Sequence, residues 1–401
     1  MRFAALNSQA CKRSPHAFLV RALEGPPVQV LSVPIIGKSH VTITHAACQD
    51  LLKDTGRFAS DARNAGHKAA FGMPMLPKSL QVLSANVLTM DDPDHRRVRK
   101  QVDGPFRRAA VEDLRGRISA QVTRLLDGME AAGETDLVKG LFRPLPLQVI
   151  CDMLGLGENR KQLFALFDGI AAGSTAWGIV RAILQIGPVQ QFFRDEFARV
   201  RAEPRPGLIT ELVHANEDGD RLSDDELLAM VFVLFAAGHE TTTHLMSAGL
   251  YTLLTEPGAL EAVRAADSEA MGVIVDELMR FGAPVQLTKP RFVKVDMEFH
   301  GQALKRGERV MALLASASLD PSVFTDPGVF DPARRPNRHI GWGGGPHICL
   351  GLHLARSECE IALLQILARY PGLALAVPTE RLKWTRRAGL RGVTSMPLKL
   401  G

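Results

Sequence analysis

Cysteine is scarce in this sequence, and its distribution is irregular. Five cysteines are scattered along 401 residues, at Cys11, Cys48, Cys151, Cys349 and Cys359. An odd number at such spacings argues against a disulfide framework and for reduced thiols. We therefore expect a cytoplasmic protein.

Long apolar runs are missing as well. No stretch is apolar enough to span a bilayer, and the first twenty residues carry polar and basic side chains throughout. We therefore expect neither a membrane anchor nor a signal peptide. Low-complexity tracts, repeats and Pro/Ser-rich linkers are also absent, so residues 1–401 are predicted to form a single domain.

Charges of the two signs nearly balance, at a net charge of +5. Basic residues form small clusters at Arg96–Arg97, Arg99–Lys100, Arg107–Arg108 and Arg334–Arg335. Such clusters usually belong to a solvated face. No nucleic-acid-binding motif with interleaved aromatic residues accompanies them, so we set nucleic acid aside as a partner. As a functional feature they favour a docking surface for an acidic protein.

Hydrophobic periodicity predicts a mainly α protein with small β-sheets, an α+β class. Strands are predicted in a β-rich part, about residues 20–65 and 285–320, and helices in a core of about 90–280 and 340–370. The predicted strands include 28–33, 40–44, 292–299 and 309–314. The predicted helices include 111–132, 144–154, 160–171, 188–201, 207–215, 223–255 and 261–280. The helix at 223–255 is long enough to cross the whole molecule.

The most informative segment surrounds Cys349. Four glycines precede it between Gly341 and Gly345, and Gly351 follows it. Glycine allows a backbone to approach a ligand closely, and the helical pattern that begins near His353 places Cys349 at a helix N-terminus. Free N–H groups and the helix dipole there favour a thiolate, which is a credible axial ligand for haem iron.

Two other interpretations of this segment are open. A lone cysteine is usually a small buried apolar residue. His339, His347, Cys349 and His353 also permit a zinc cluster, although no paired Cys or His spacing elsewhere completes one.

Three further patterns are weak individually. Ala237 to Thr243 places glycine and three threonines inside the long helix, as a groove for a diatomic ligand would need. Glu277 and Arg280 lie on one helix face, and His95 and Arg99 lie one turn apart, where they would clamp carboxylates.

Taken in order, these motifs resemble those of a soluble, bacterial cytochrome P-450. The motifs are His95-x-x-x-Arg99, Ala237-Gly238-x-Glu240-Thr241, Glu277-x-x-Arg280, Phe330-Asp331-Pro332-x-Arg334 and Gly343-x-Gly345-x-His347-x-Cys349-x-Gly351. The resemblance extends from Val41-Thr42, through Phe58 to Asp61, to Arg391-Gly392, and so covers nearly the whole chain.

The resemblance implies a cytochrome P-450 fold with haem b and assigns roles by position. Cys349 resembles the proximal iron ligand, Ala237 lies in the groove beside the cofactor, and Glu240 and Thr241 resemble the acid–alcohol pair that delivers protons during oxygen activation. The resemblance implies propionate partners at His95, Arg99, Arg291 and His347, and a buried charge network of Glu277, Arg280 and Arg334.

Three positions depart from the family pattern. Trp342 stands where phenylalanine is usual, and Ser318-Leu319 replaces Asn-Arg before Asp320-Pro321. Lys289-Pro290 precedes Arg291 and makes the propionate role of that arginine the least secure of the four.

The implied activity is a monooxygenase that hydroxylates a small apolar substrate with O2. No flavin or nicotinamide domain fits in the chain, so electrons are expected from a separate acidic ferredoxin and its reductase, docking at Arg96, Arg97, Arg107, Arg108 or Arg335. We expect a monomer. The alternatives are a peroxide-driven peroxygenase, which is expected to lack the acid–alcohol pair, and a non-catalytic haem carrier or sensor, which would not need it.

The substrate pocket is predicted from family position alone. Its walls are expected within 85–88, 167–184, 233–237, 285–287 and 389–390. The residues singled out are Leu88, Val233, Ala237, Val285, Leu390 and Gln286, the last as a polar anchor. The segment 169–188 has a single charge, at Arg181, which favours an apolar substrate such as a terpenoid, steroid, fatty acyl group or hydrophobic aromatic.

Overall fold

The computed structural model of the chain describes residues 3–33, 37–69, 81–83, 86–171, 176–215 and 222–400. Helices make up most of this part. They are α1 (Phe3–Leu6), α2 (Gln9–Arg13), α3 (His16–Leu23), α4 (His45–Lys53), α5 (Asp94–Asp103), α6 (Arg108–Ala131), α7 (Pro144–Leu154), α8 (Arg160–Ala171), α9 (Ala176–Ala202), α10 (Leu208–His214), α11 (Asp224–Thr255), α12 (Ala259–Arg264), α13 (Ser268–Gly282), α14 (Leu314–Ala317) and α15 (Leu352–Arg369).

The strands are short and form small sheets. They are β1 (Val28–Val33), β2 (Gly37–Thr42), β3 (Phe58–Ala59), β4 (Arg291–Val293), β5 (Met297–Phe299), β6 (Gln302–Leu304), β7 (Arg309–Ala312), β8 (Ala374–Leu375), β9 (Lys383–Trp384), β10 (Val393–Ser395) and β11 (Leu398–Lys399). Five of them form one mixed sheet in the order β1-β2-β7-β4-β3, and β5 with β6, β8 with β11, and β9 with β10 form two-stranded ribbons.

The main sheet joins distant parts of the chain. Strand β2 runs parallel to β7, with His40 opposite Val310, and β4 runs antiparallel to β7, with Arg291 opposite Val310. This pairing brings the first sixty residues beside the segment near 290. As a result, Ser60 and Arg291 lie together although they are far apart in sequence.

Helix α11 is the centre of the fold. It spans 32 residues and starts with a capping box, in which the Ser223 side chain accepts from the Glu226 N–H and Glu226 caps the Ser223 backbone in return. Helices α7, α13 and α15 pack around it. Most of its side chains are buried on every face, as expected of a helix inside a large core.

The predicted fold class is confirmed, but several boundaries were wrong. The helix predicted at 261–280 is two helices, because the Asp267 side chain accepts from the Ala270 N–H and starts α13. The strand predicted at 292–299 is likewise two strands, β4 and β5, in different sheets. Helix α9 begins at Ala176, well before the predicted 188.

Candidate active site

The loop that carries Cys349 is shaped by glycine. Gly343 and Gly345 have φ angles of +79° and +63°, and a Cβ atom on Gly345 would lie 2.3 Å from the Leu52 carbonyl oxygen. Only glycine fits there without displacing α4. The loop closes with a hydrogen bond of 2.9 Å from the Cys349 N–H to the carbonyl of Trp342.

Cys349 differs from the other cysteines in its exposure. It is partly exposed, whereas the other four are buried, and it lies three residues before the first residue of α15. Burial raises the pKa of the Cys349 thiol, and the Gly351 N–H and the charge of Arg99 act in the opposite direction.

Four basic side chains meet beside this loop. The rings of His95 and His347 lie 4.2 Å apart between centroids, and Arg99 donates to the carbonyls of Pro346 at 3.3 Å and Ile348 at 2.7 Å.

Ser60 connects two of these basic side chains. Its Oγ lies 2.9 Å from His347 Nε2 and accepts from Arg291 Nη1. The fold thus brings His95, Arg99, Arg291 and His347 into one cluster.

In the described part of the chain, the cluster contains a buried histidine nitrogen without a hydrogen-bond partner and a buried guanidinium without a carboxylate. Arg291 is 8% exposed, and burial lowers its pKa to about 10, opposed only by Asp91. No salt bridge to Arg291 forms within the described ranges, and His95 Nε2 is buried with no hydrogen-bond partner there. Buried groups of this kind normally have partners, so an anionic group from outside the chain fits here.

The middle of α11 faces an open space. Ala237 is exposed, and Gly238 to Thr241 are half-buried, although Phe235 before them and Thr242 after them are buried. The Thr241 hydroxyl donates to the Ala237 carbonyl at 2.8 Å. Small side chains and a back-bonded hydroxyl therefore line this stretch, as predicted for a groove.

Glu240 has two neighbours that the sequence did not reveal. Its Oε2 lies 2.8 Å from Arg387 Nη1, and its Oε1 lies 3.8 Å from His244 Nε2, one turn further along α11. Burial raises the pKa of Glu240, while Arg387 and Arg143 oppose the rise.

Glu277, Arg280 and Arg334 form the predicted constellation in space. Arg280 holds both oxygens of Glu277, at 2.7 and 2.6 Å, and Arg334 Nε donates to Oε1 at 3.1 Å. The three are 0, 1 and 8% exposed. The remaining guanidinium donors bind the carbonyls of Ser318, Thr325, Asp326, Pro327 and Val329, so the network anchors the chain before the Cys349 loop.

The predicted pocket residues lie in three parts of the fold. Val285 and Leu390 face each other in an isolated antiparallel bridge, and Val233 lies one turn before Ala237 on α11. Leu88 is half-buried, beside Val87, whose backbone bonds the His347 ring. Ala85 and the side chains of 167–184 lie outside the described residues.

Gln286, the predicted polar anchor, is enclosed. It is 0% exposed, and neither atom of its side-chain amide has a hydrogen-bond partner among the described residues. Its backbone is fixed by a bond of 2.8 Å from its N–H to the Gly389 carbonyl. The side chain therefore does not reach the open space beside Ala237.

The family model for cytochrome P450 matches residues 181–374 of this chain. The polyketide biosynthesis cytochrome P450 PksS of Bacillus subtilis (strain 168) is 32% identical, over 96% of each chain. The vitamin D(3) 25-hydroxylase of Pseudonocardia autotrophica is also 32% identical, over 97% of this chain and 94% of that one.

Solved structures agree. A myxobacterial cytochrome P450 in complex with myristic acid superimposes with a TM-score of 0.90 at 33% identity, covering 100% of this chain and 99% of the other. This chain belongs to the cytochrome P450 family. It is therefore an oxidoreductase of the monooxygenase class, using O2, a substrate and redox partners.

Family membership implies a haem cofactor, and the site fits one. The unpaired His95 Nε2 and the carboxylate-free Arg291 suit the two carboxylates that a haem carries. The exposed Ala237 leaves space beside α11 for a flat group. No group of three His, Cys, Asp or Glu side chains that could hold a metal ion occurs in the described part of the chain, so the zinc interpretation finds no ligand set there.

One further feature concerns the membrane. Among the residues that the structure covers, no helix has both the length and the apolar character needed to cross a bilayer.

Two residues of the P450 site were missed from sequence. Ser60 was noted only as part of a motif, and Arg387 was not considered. Neither carries a local signal, because each meets its partner only through the fold. Ser60 meets His347, 287 positions away, and Arg387 meets Glu240, which lies on the distant helix α11.

Proposed function

We propose that this P450 hydroxylates a small apolar substrate, inserting one atom of O2 into a C–H bond. The observation that carries the proposal is the basic cluster beside the Cys349 loop, in which the buried His95 Nε2 has no hydrogen-bond partner among the described residues. The partly exposed Cys349 and the exposed Ala237 on α11 support it. In the overall reaction, substrate, O2, two electrons and two protons give the alcohol and water.

The cofactor in this proposal is haem b. Cys349 would hold the iron through its sulfur, and His95, Arg99, Arg291 and His347 would hold the propionates. When bound, haem with a thiolate ligand supplies the oxygen activation and the oxygen-atom transfer. Glu277, Arg280 and Arg334 secure the loop that presents Cys349.

The acid–alcohol pair moves the protons. Glu240 is 22% exposed at its side chain and therefore exchanges protons with solvent. The Thr241 hydroxyl, held by the Ala237 carbonyl, presents its oxygen to the space beside α11. A proton passes from the Glu240 carboxyl group towards the Thr241 hydroxyl. A proton from solvent then returns to the Glu240 carboxylate.

The propionate role of the basic cluster gives a first prediction. We expect Arg291→Ala to lose haem faster than the wild type, by about 10-fold or more, because a buried charge-assisted hydrogen bond is lost. Haem transfer to an excess of apomyoglobin measures the rate. Arg309→Ala, on neighbouring β7, is the matched control, and equal rates for the two variants would contradict the role of Arg291.

The electron donor is proposed to be an acidic ferredoxin, reduced by its own reductase. Of the predicted arginines, Arg107 is 71% and Arg96 is 83% exposed at the side chain, and Arg108 is exposed. Arg335 is 63% exposed and pairs with Glu269 at 3.3 Å. Arg97 is only 24% exposed and is held by Glu226, so it is the weakest of the five. Ile348, next to Cys349, adds an exposed apolar contact, at 41%.

Charge reversal tests this surface. We expect the double variant Arg107→Glu, Arg108→Glu to raise the KM for an acidic ferredoxin by about 10-fold at low salt. High salt should reduce the difference in KM between this variant and the wild type. Lys161→Glu on α8, also exposed, is the control. Turnover that is unchanged by the double reversal would rule out docking at these arginines.

The substrate is proposed to be apolar, as the pocket residues Val233, Val285 and Leu390 suggest. Relatives are named for a polyketide pathway and for vitamin D(3), and one structural neighbour holds myristic acid. We propose that the chain works as one catalytic domain over residues 1–401, as a monomer in the cytoplasm.

An optical titration tests the proposed function. Terpenoids, steroids, fatty acids and hydrophobic aromatics are added in turn to the purified ferric protein. A compound that shifts the Soret band from low to high spin, and whose product carries one oxygen atom from ¹⁸O₂, supports the proposal. A product without that oxygen atom would contradict it.

A further inference from the structure

The acid of the proposed proton-delivery pair is held by a segment from the end of the chain. Arg387 Nη1 lies 2.8 Å from Glu240 Oε2, and the Arg387 side chain is 45% exposed. The guanidinium therefore contacts both solvent and the carboxylate. An exposed ion pair adds little to the free energy of unfolding. We therefore expect the Arg387–Glu240 pair to act by orienting and polarising the Glu240 carboxylate.

A buried histidine completes the surroundings of Glu240. His244 is 5% exposed, and neither ring nitrogen has a hydrogen-bond partner among the described residues. Burial lowers the pKa of His244 to about 3, so the ring is neutral and adds no charge near Glu240. The ring also packs closely against the backbone of Gly392, because a Cβ there would lie 2.3 Å from His244 Nδ1.

The Arg387 segment is fixed at both ends by the fold. Lys12 Nζ donates to the carbonyls of Thr385 and Arg387, at 2.7 and 2.8 Å. Asn7 accepts from the Gly389 N–H at 3.3 Å. On the other side, Leu390 pairs with Val285 at the predicted pocket wall. Only two residues thus separate Leu390, at the predicted pocket wall, from Arg387, the partner of Glu240.

We propose that Arg387 is a positioning residue, which orients Glu240 for proton delivery and links the acid to the pocket wall at Leu390. The inference rests on the proposed function, since Glu240 must be the proton donor. Arg387 touches neither substrate nor cofactor in this role. It acts by keeping the carboxylate ionised and turned towards the solvent side of α11 until a proton arrives.

The charged groups around Glu240 determine the direction in which its pKa shifts when Arg387 is removed. Arg387 and Arg143 oppose the rise in the pKa of Glu240 that burial causes, and His244 is neutral. Removing Arg387 leaves burial opposed by Arg143 alone. Glu240 then stays protonated to a higher pH than in the wild type.

Infrared difference spectroscopy of the resting ferric protein measures this titration directly. The Glu240 carboxyl band is identified by its loss in Glu240→Gln. We expect Arg387→Ala to shift the titration to higher pH and Arg387→Lys to restore most of the wild-type midpoint. Arg386→Ala, an exposed neighbour with no ion pair in the described part of the chain, should leave it unchanged.

A failure of the positioning role can be distinguished from a failure of the proposed function, because the Glu240 titration is measured without turnover. An unchanged midpoint in folded Arg387→Ala, or an equal shift in Arg386→Ala, would overturn the inference. If Arg387→Ala does not fold, Arg387→Gln is used instead. A shifted Glu240 midpoint in that variant supports the positioning role, and an unshifted midpoint overturns it. A shifted midpoint with monooxygenase activity that does not depend on Glu240 would leave the positioning role intact and remove the proposed proton donor.

Discussion

We expect Glu277→Ala to lower the free energy of unfolding by about 3–5 kcal/mol, because it leaves buried charges uncompensated. Glu277 is fully buried and binds Arg280 through both oxygens. It also accepts from Arg334, from the Asp331 N–H at 3.0 Å and from the Asn337 amide at 3.1 Å. Denaturant titration of the wild type and the variant measures the difference.

Glu269→Ala provides the control for this prediction. Glu269 lies on the same helix, α13, but is 83% exposed, and its ion pair within the described residues is with the exposed Arg335. Its loss should cost less than about 1 kcal/mol. A Glu277 variant that is no less stable than the Glu269 variant would mean that the network does not hold the loop before Cys349.

The second large effect concerns proton delivery. We expect Glu240→Gln to lower the rate of product formation by about 10²-fold, the lower end of the contribution of a general acid. Thr241→Ala should lower the product formed per electron consumed, with hydrogen peroxide released instead. Both variants keep the fold, since Glu240 and Thr241 are half-buried and make few other contacts.

Thr242→Ala is the control for Thr241. The Thr242 hydroxyl makes the same kind of bond, to the Gly238 carbonyl at 2.9 Å, but the side chain is 4% exposed and faces the core. Product and peroxide yields are measured per NADH with the same redox partners. Equal yields in Thr241→Ala and the wild type would exclude the acid–alcohol mechanism.

The long elements were predictable because their signals are local. The prediction of 223–255 for the central helix matches α11 closely, since Ser223 and Glu226 form a capping box that is readable in sequence. The predictions at 144–154 and 160–171 coincide with α7 and α8. Apolar periodicity over several turns leaves few alternatives.

Short elements and distant pairings were not predictable in the same way. Strands β8, β9 and β11 have two residues each, too few for a periodic pattern. The break between α12 and α13 depends on the cap at Asp267, which competes with continuous helical periodicity on both sides. The Arg387–Glu240 pair depends on tertiary placement alone.

The candidate site, like the fold, was predictable from sequence only in part. The four basic residues lie together near the Cys349 loop, and Glu277 binds Arg280 and Arg334. Their roles towards a cofactor stay predictions. Family position did not predict where the Gln286 side chain lies. It is enclosed, although its neighbour Val285 lies at the predicted pocket wall. Alternation along an extended chain decides which side chain faces the space.

The most direct test of the account is the spectrum of the ferrous carbonyl complex. A thiolate ligand from Cys349 predicts the long-wavelength Soret band of haem-thiolate proteins in the wild type, and its loss in Cys349→Ala. Cys359→Ala, at a buried cysteine on α15, should keep the band. A wild-type spectrum typical of an imidazole ligand, or a thiolate band that persists in Cys349→Ala, would contradict the central claim.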